Sequence, residues 1–514
     1  MSDFNKNTLP EEGQPLGKKK EIKETEIMPE VVATCCLGQP EFTTYRSNRG
    51  EKQPQNNSLN EPWGVWGEGD RVFVTDSTNN RLLIWNSTGN DRPADLVLGQ
   101  AGFNEGLENR WRDKILIKEL YLVGSEDWRE GREVIKPDAD TLSSPTGVSM
   151  TGGRLFVADR DNHRILIWNK IPSDNGKAAD LVIGQPDFVS WSANRDGNLG
   201  AGSLFFPVGV FSDGVRLFVA DKDNHRILIW NKIPDTNGKE ADIVLGQPDF
   251  KSRMINADNL DKAGPDTLSY PTSVFYDGSY LFVTDQGNQR ILIWDRLPQR
   301  NGEPAKMALG QKDFTGRSPN RKGVCSACTM KFPSQVFVKG GDLYVVDQGN
   351  NRVLVWRDYS WKESESADLV IGQPNFEENW HHWKLVKVEE KIDKSPEPGV
   401  LPVSEEALVS VEPTETTEPS ETEEPFVPAE QPISEGPIET EEHSVEIKTY
   451  IRLDTTNRPN SFTLWDPCML WVDDKNRIFI LDRGNNRVVI WNELPTGGIE
   501  VVTETEERSE VERV

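Results

Sequence analysis

The sequence predicts an all-β fold, a closed ring of six four-stranded sheets, on three observations. First, a core unit recurs six times: "RVFVTDSTNNRLLIWNS" (71–87), "RLFVADRDNHRILIWNK" (154–170), "RLFVADKDNHRILIWNK" (216–232), "YLFVTDQGNQRILIWDR" (280–296), "DLYVVDQGNNRVLVWRD" (342–358) and "RIFILDRGNNRVVIWNE" (477–493). Second, each copy parses into four short apolar runs bounded by Gly, Pro, Asn and Asp, the punctuation of strands. Third, an ending built on "LGQ" also occurs six times, yet its first copy, "CLGQPEF" (36–42), precedes every unit and the sixth unit lacks one. Four strands per repeat and a circular offset between starts and endings describe a six-bladed β-propeller whose N-terminal strand completes the last blade. Closure of this kind replaces two exposed sheet edges with paired ones.

The elements follow in order along the unit. Strand a is a short apolar segment opened by a proline: Pro62, Pro145, Pro207, Pro271, Pro333 and Pro467. Strand b is the "LFVAD" run. The turn after it begins with an Asp that can accept from turn amides. In that turn Asp161, or Gly287, Gly349 and Gly484 in register with it, suits positive φ, which the β-branched Thr78 resists. Strand c, "RILIWN", is apolar at nearly every position, so both of its faces are covered, as they are when blades stack face to face. Its tryptophan (Trp85, Trp168, Trp230, Trp294, Trp356, Trp491) fills the wedge between blades, each ring contributing on the order of 3 kcal/mol. Strand d is the "ADLVIGQ" run. Successive turn Asp residues lie 62, 64 and 62 positions apart from Asp159 to Asp347, and the longer gaps mark insertions within a constant unit.

Because strand direction alternates, the d-to-a and b-to-c connections share one face. The large insertions, 104–144, 189–206, 251–270, 315–332 and 377–463, all fall in d-to-a connections, so that face carries both the hairpins and every elaboration. Within 104–144, "NRWRDKILIKELYLVGSEDW" fits either a short helix or a hairpin.

Charge is distributed unevenly. Of the net −26, the stretch 389–446 holds −16 and 500–514 holds −4, which leaves −6 for everything else. That balance argues against broad DNA binding, which needs Lys and Arg to neutralise phosphates. No apolar run is long enough to cross a bilayer, and the N-terminus lacks the apolar centre of a secretory signal. Five cysteines, an odd number in 514 residues, do not read as a disulfide framework, so a reducing, cytoplasmic setting is expected; the chain is also expected to be a monomer. The expected organisation is a disordered tail over 1–30, closing strand and blades 1 to 5 over 31–378, an acidic Pro/Glu/Thr-rich disordered insertion over 379–449, blade 6 over 450–498, and a disordered acidic tail over 499–514.

The run "LFVADRDNHRILIWN" resembles the NHL repeat, named for its Asn-His-Leu-type turn. Asn162–His163 and Asn224–His225 carry the Asn-His pair, and the resemblance spans the six blades. It implies a propeller fold but not one function, since propellers host unrelated activities. Some NHL propellers bind RNA, and one enzyme resembling the family, the peptidyl-hydroxyglycine amidating lyase, holds zinc with three histidines. Here the blades offer two, and His381, His382 and His443 lie in or beside the insertion, so that triad cannot be mapped.

The candidate binding face is formed by Arg81, Arg164, Arg226, Arg290, Arg352 and Arg487 with His163 and His225. Against a ligand role stands an architectural one, in which each Arg forks onto a hairpin Asp; sameness across blades favours the latter. Cys325 and Cys328 have C-x-x-C spacing, a candidate redox or metal pair set against two unpaired loop thiols. No catalytic, cofactor or metal-ligand set is assigned, and no phosphate loop, nucleophile elbow or His-Glu-x-x-His motif occurs. A non-catalytic platform that binds a protein partner through the loop-bearing face is expected, with neither DNA nor membrane as partner. A metal-dependent channel enzyme of lyase or lactonase type is the alternative, and RNA binding on the arginine-bearing face is the second. The enzyme would need ligands at the strand-a starts, where Trp63, Thr146, Val208, Thr272, Ser334 and Cys468 stand.

Overall fold

A computed structural model describes residues 20–27, 32–111, 114–116, 133–258, 262–358, 360–362, 365–393, 444–456, 458–494 and 508–511. Six four-stranded antiparallel sheets form a six-bladed β-propeller. In blade 3, for example, Pro207–Ser212, Leu217–Asp221, Arg226–Trp230 and Ile243–Leu245 lie side by side in chain order. Blade 6 has Pro467–Val472, Ile478–Asp482 and Arg487–Trp491, and its fourth strand is Cys35–Leu37. Cys35 pairs with Ile490, Cys36 with Val489 and Leu37 with Val488, which closes the ring as the offset of endings requires.

Strand c is buried along its whole length in every blade. The six strand-c tryptophans are nearly fully buried, and an indole N–H donates to a loop carbonyl in four blades, as Trp230 does to Lys239 at 3.0 Å. The "LGQ" ending also has a physical explanation. Its glycine holds φ near +90°, and a Cβ at Gly38 would lie 2.5 Å from the Leu59 side chain. The glutamine that follows turns its amide inward. Gln39 donates to the carbonyls of Arg46 and Asn486, and Gln247 to those of Met254 and His225.

Strands also lie outside the blades. Lys20–Ile27, within the tail expected to be disordered, is a strand, as are Trp383–Asp393 and Ser444–Thr455 at the two ends of the expected disordered insertion. They form a four-stranded sheet with Arg508–Val511, the first pairing with Trp383–Asp393 in antiparallel register. That sheet belongs to a compact unit made of 1–27, 385–452 and 501–514, and the propeller is a second unit, 28–384 with 453–500. The acidic tract's composition hid a period-2 pattern at its flanks: Val386 and Val388 are buried while Lys387 pairs with Glu389 at 2.8 Å between them. The parts of the expected disordered segments at 1–19, 28–30, 394–443, 499–507 and 512–514 lie outside the described residues. Within 104–144 the structure has a two-stranded antiparallel ribbon, Lys114–Leu116 with Glu133–Ile135. Among the described residues no helix is long and apolar enough to cross a membrane.

Replacing Gly38 by Ala puts a Cβ into Leu59 at positive φ, and is expected to destabilise the ring by about 2 kcal/mol or more. Gly102→Ala, where nothing lies within 4 Å of the new Cβ, is expected to change the melting midpoint little; denaturant melts of the two variants compare them directly.

Candidate functional site

The b-to-c hairpins place the sequence-predicted arginines. In all six blades the guanidinium Nε donates to the hairpin Asp at 2.7 Å, and both side chains are fully buried. The same carboxylate oxygen accepts from the recurring Asn, at 2.7 Å for Asn224 on Asp221, and the other oxygen accepts a backbone N–H two residues before the strand-a proline. The remaining guanidinium N–H groups reach carbonyls: Arg226 donates to Phe250, Gly200 and Ser203. The phenylalanine that ends each "LGQ" segment is thus tied to the hairpin by its own carbonyl, and in the closing blade Arg487 ties down Phe42 across the chain termini. Burial pushes the carboxyls of Asp76, Asp159, Asp221, Asp285 and Asp347 above the usual range, against the guanidinium, amide and backbone donors that pull them down. Arg81, Arg164, Arg226, Arg290, Arg352 and Arg487 are therefore enclosed in the hairpins and are absent from the surface of this face.

His163 and His225 occupy a latch between blades. The residue after the recurring Asn (Asn80, His163, His225, Gln289, Asn351, Asn486) has φ between 52° and 58°, so positive φ sits two positions after Asp161 and Gly287 rather than at them. Gly287 serves close approach instead, since a Cβ there would meet Ser269 Oγ at 2.3 Å. From this left-handed position each side chain accepts the backbone N–H of the residue before the next blade's proline. His163 Nδ1 takes Phe206 at 3.1 Å, His225 Nδ1 takes Tyr270 at 3.1 Å, and Asn486 Oδ1 takes Glu61 across the closure at 2.7 Å. Burial holds both histidines neutral, with pKa lowered to about 4. The sequence pattern carried a signal for this role, because only acceptor-bearing side chains fill the position.

The latched residues are themselves strained. Glu61, Ser144, Phe206, Tyr270, Phe332 and Asp466 all have φ between 45° and 52°, an unusual conformation for bulky side chains. In blades 3 to 5 this turns three aromatic rings onto the loop-bearing face, with Tyr270 39% and Phe332 46% exposed. Among the described residues eight large apolar side chains are exposed, and seven of them (all but Val215) lie in d-to-a connections on this face.

Along the axis, aromatic side chains at the fifth residue of strand a form an unbroken circle. Trp66 contacts Trp471 at a centroid distance of 4.1 Å, and the chain of contacts returns through Phe211, Phe275 and Phe337 with no step longer than 6.2 Å. Blade 2 supplies the small Ser149 at this level. The strand-a starts are occupied in stitching blades together: Thr146 Oγ1 donates to the Val208 carbonyl at 3.1 Å, Thr272 to Ser334 at 2.8 Å and Ser334 to Cys468 at 2.7 Å. Among the described residues no group of three or more His, Cys, Asp or Glu side chains is placed to hold one metal ion.

Above this floor, at the mouth on the loop-bearing face, stand the residues directly after the hairpin Asp: Ser77, Arg160, Lys222, Gln286, Gln348 and Arg483. They differ from blade to blade, unlike the hairpin itself, and sequence reading passed over them because it followed what recurs. Neighbours touch around the rim: Gln286 Nε2 reaches Gln348 Oε1 at 3.4 Å, and Gln348 Nε2 reaches Asp466 Oδ1 at 2.6 Å. Arg483 pairs with Asp466 and lies 4.8 Å over the Trp63 ring. A cavity of about 630 Å³ opens beside it, with Trp465, His381, Tyr45 and Glu61 in its wall.

Cys325 is buried, its thiol pushed up to about 11 by burial, while Cys328 is half-exposed with Arg321 Nη1 and Ser326 Oγ each 3.6 Å from its sulfur. Both are free thiols, as are Cys35, Cys36 and Cys468.

Two measurements check these roles. Arg226→Met leaves Asp221 buried without its cation and is expected to cost about 3–5 kcal/mol in a denaturant melt. Protonation of His163 and His225 removes the lone pairs that accept Phe206 and Tyr270. Because their folded pKa is depressed, the stability they supply is complete above pH 6.5 and is lost as pH falls toward about 4. The double variant His163→Asn/His225→Asn, which restores the acceptor used in three other blades, is expected to show a shallower loss of stability over that window.

The NHL-repeat family model matches residues 142–168. No curated protein matches the chain. Among solved structures, an auxiliary nutrient binding protein from Bacteroides ovatus is similar at 10% identity over 90% of this chain and 76% of that one, with a TM-score of 0.40. The nidogen/laminin complex is similar at 15% identity over 68% and 93%, TM-score 0.34, and streptogramin B lyase at 12% over 66% and 85%, TM-score 0.30. Likenesses this distant do not bear on function. The matched residues run from the d-to-a connection through the hairpin whose Asp, Asn and Arg recur in every blade, and the protein is a six-bladed β-propeller that carries an NHL repeat at 142–168.

Proposed function

We propose that the protein is a non-catalytic binding platform that holds a protein partner against its loop-bearing face. The observation that carries this reading is the segregation of exposed apolar side chains: among the described residues Tyr45, Leu107, Val189, Met254, Tyr270, Val324 and Phe332 are on that face, and Val215 alone is at the opposite end of a blade. Exposed apolar residues gathered on one surface and mixed with polar groups mark interaction sites. Aromatic anchors dominate such interfaces energetically, and here Phe206, Tyr270 and Phe332 are aimed outward by a strained backbone that the latches hold in place. The axis is ringed by the aromatic circle and the strand-a hydroxyls are spent on neighbouring carbonyls, which favours a surface site over polar chemistry in a channel.

In-cell cross-linking followed by mass spectrometry identifies the partner, and its affinity is then measured for purified variants. Tyr270→Ser and Phe332→Ser are each expected to weaken binding by about tenfold or more, with Val215→Ser unchanged. A partner whose affinity responds to Val215→Ser and ignores both face variants overturns the reading.

A further inference from the structure

A three-point clamp joins neighbouring blades along the outer wall of the propeller, and between blades 4 and 5 it is left open. The middle residue of strand d turns its N–H and C=O away from its own sheet. In four blades that N–H donates to an asparagine of the next blade's c-to-d loop: Cys36 to Asn90 at 2.8 Å, Val97 to Asn175 at 3.0 Å, and Val182 and Val244 to Asn237 and Asn301 at 3.1 Å. The glycine that follows three of these asparagines returns its own N–H to the same residue's carbonyl, at 2.8 Å for Gly238 on Val182. Gly176, Gly238 and Gly302 hold φ between 61° and 63°, where a side chain is strained. The next carbonyl accepts the indole N–H of the loop's own blade, as Glu303 does from Trp294 at 2.8 Å.

In blade 4 the middle of strand d (Met307–Leu309) is Ala308, whose outward N–H and C=O have no partner among the described residues. It is half-buried, where Cys36, Val97, Val182 and Val244 are buried. The third point is open as well: Trp356 Nε1 is enclosed and has no acceptor. An enclosed donor without a partner is unfavourable, because it has given up water for nothing. The cause is local. The asparagine stands four residues before a recurring alanine (Ala94, Ala179, Ala241, Ala305), and counted back from Ala367 that register falls on Glu363, with Ser364 in place of glycine. The arginine beside the clamp is diverted too. Arg195 Nη2 holds the Gly238 carbonyl at 3.0 Å, whereas its counterpart Arg321 holds the Glu365 carboxylate at 2.9 Å.

We propose that the outer wall between blades 4 and 5 docks an Asn-Gly turn of a partner protein, which supplies the clamp that blade 5 does not make for itself. The partner's Asn side-chain oxygen accepts from the Ala308 N–H, and its Gly N–H donates to the Ala308 carbonyl. Arg321 exchanges Glu365 for the Gly carbonyl, and the carbonyl of the following residue takes the Trp356 indole N–H. The chemistry of the occupant is set by the protein's own clamps, which meet the same groups with the same three residues. An added β-strand fits less well, because strand addition needs a run of outward N–H and C=O groups and this three-residue edge presents one pair. The site uses none of the exposed aromatics of the rim, and it stands independently of the platform reading.

The test uses the full-length protein, isotope-labelled at its indole nitrogens, and an acetylated, amidated peptide that copies the blade 3 clamp, residues 233–240. Trp356→Phe identifies the Trp356 indole signal in the magnetic resonance spectrum. Millimolar peptide is expected to shift that signal and leave those of Trp230 and Trp294 in place. Peptides with Ala for the Asn, or Val for the Gly, are each expected to bind about tenfold more weakly. Glu365→Ala, which releases Arg321, is expected to strengthen binding. Glu363→Asn/Ser364→Gly, which gives blade 5 the clamp of its neighbours, is expected to abolish binding, with circular dichroism confirming that both variants fold. A Trp356 signal that does not move, binding that ignores both peptide substitutions, or binding that survives Glu363→Asn/Ser364→Gly overturns the inference. So does a Trp356 indole proton that, in the free protein, exchanges with solvent as slowly as that of Trp294. A dimer that Glu363→Asn/Ser364→Gly dissociates moves the occupant to a second copy of the chain and overturns the partner assignment.

Discussion

Each blade is organised around a carboxylate and a guanidinium enclosed together at the base of a hairpin, fully buried and 2.7 Å apart. Placing two charges out of water is costly, and the arrangement is stable because four of the five guanidinium N–H groups and both carboxylate oxygens are bonded, as for Arg226 and Asp221. The Asp takes the Arg, an Asn amide and a backbone N–H; the Arg spends its remaining donors on carbonyls of the two loops beside it. A local turn thereby becomes the joint of three chain segments: its own strands, the loop that precedes the blade and the "LGQ" ending that follows. The ring closes by the same device, since the last blade's Arg487 holds the carbonyl of Phe42 from the first segment of the propeller.

A second interaction carries this order from blade to blade. The side chain after the recurring Asn, forced into the left-handed region, reaches the next blade and holds the N–H of a residue that is itself at positive φ. Two strained residues are thus stabilised by one bond, and the strain has an external consequence: it sets the side chains of Phe206, Tyr270 and Phe332 on the open face. Histidine, asparagine and glutamine serve equally as acceptors, which explains why the position varies in identity and not in chemistry. The hairpin Asp is invariant among the blades, and the residue after it is of four kinds: Ser77; Arg160 and Arg483; Lys222; Gln286 and Gln348.

That contrast separates repeated from variable positions throughout the ring. Positions that repeat (Asp, Asn, Arg, Trp, Gly, Gln) are buried and bonded within the protein. Positions that vary, such as Arg160, Lys222 and Gln286, line the mouth, and the residues before the strand-a prolines form its rim. A ring of equal blades has no preferred direction for an unsymmetrical ligand, so specificity has to come from the unequal positions.

The propeller, its six blades, the strand order and the borrowed closing strand were legible in the amino-acid sequence. Repetition multiplies a weak local signal six times, and the misplaced "CLGQPEF" has one partner edge available to it. The double role weighed for the arginines was also legible, though not its outcome, because burial depends on how loops from distant sequence fold over the hairpin. The strands at Lys20–Ile27, Trp383–Asp393 and Ser444–Thr455 were masked by the charged composition around them, and their partners lie hundreds of residues apart. The aromatic circle was decided by tertiary structure alone. Trp66 and Trp471 meet only because ring closure brings the blades around one axis, and no spacing along the chain encodes a distance across it.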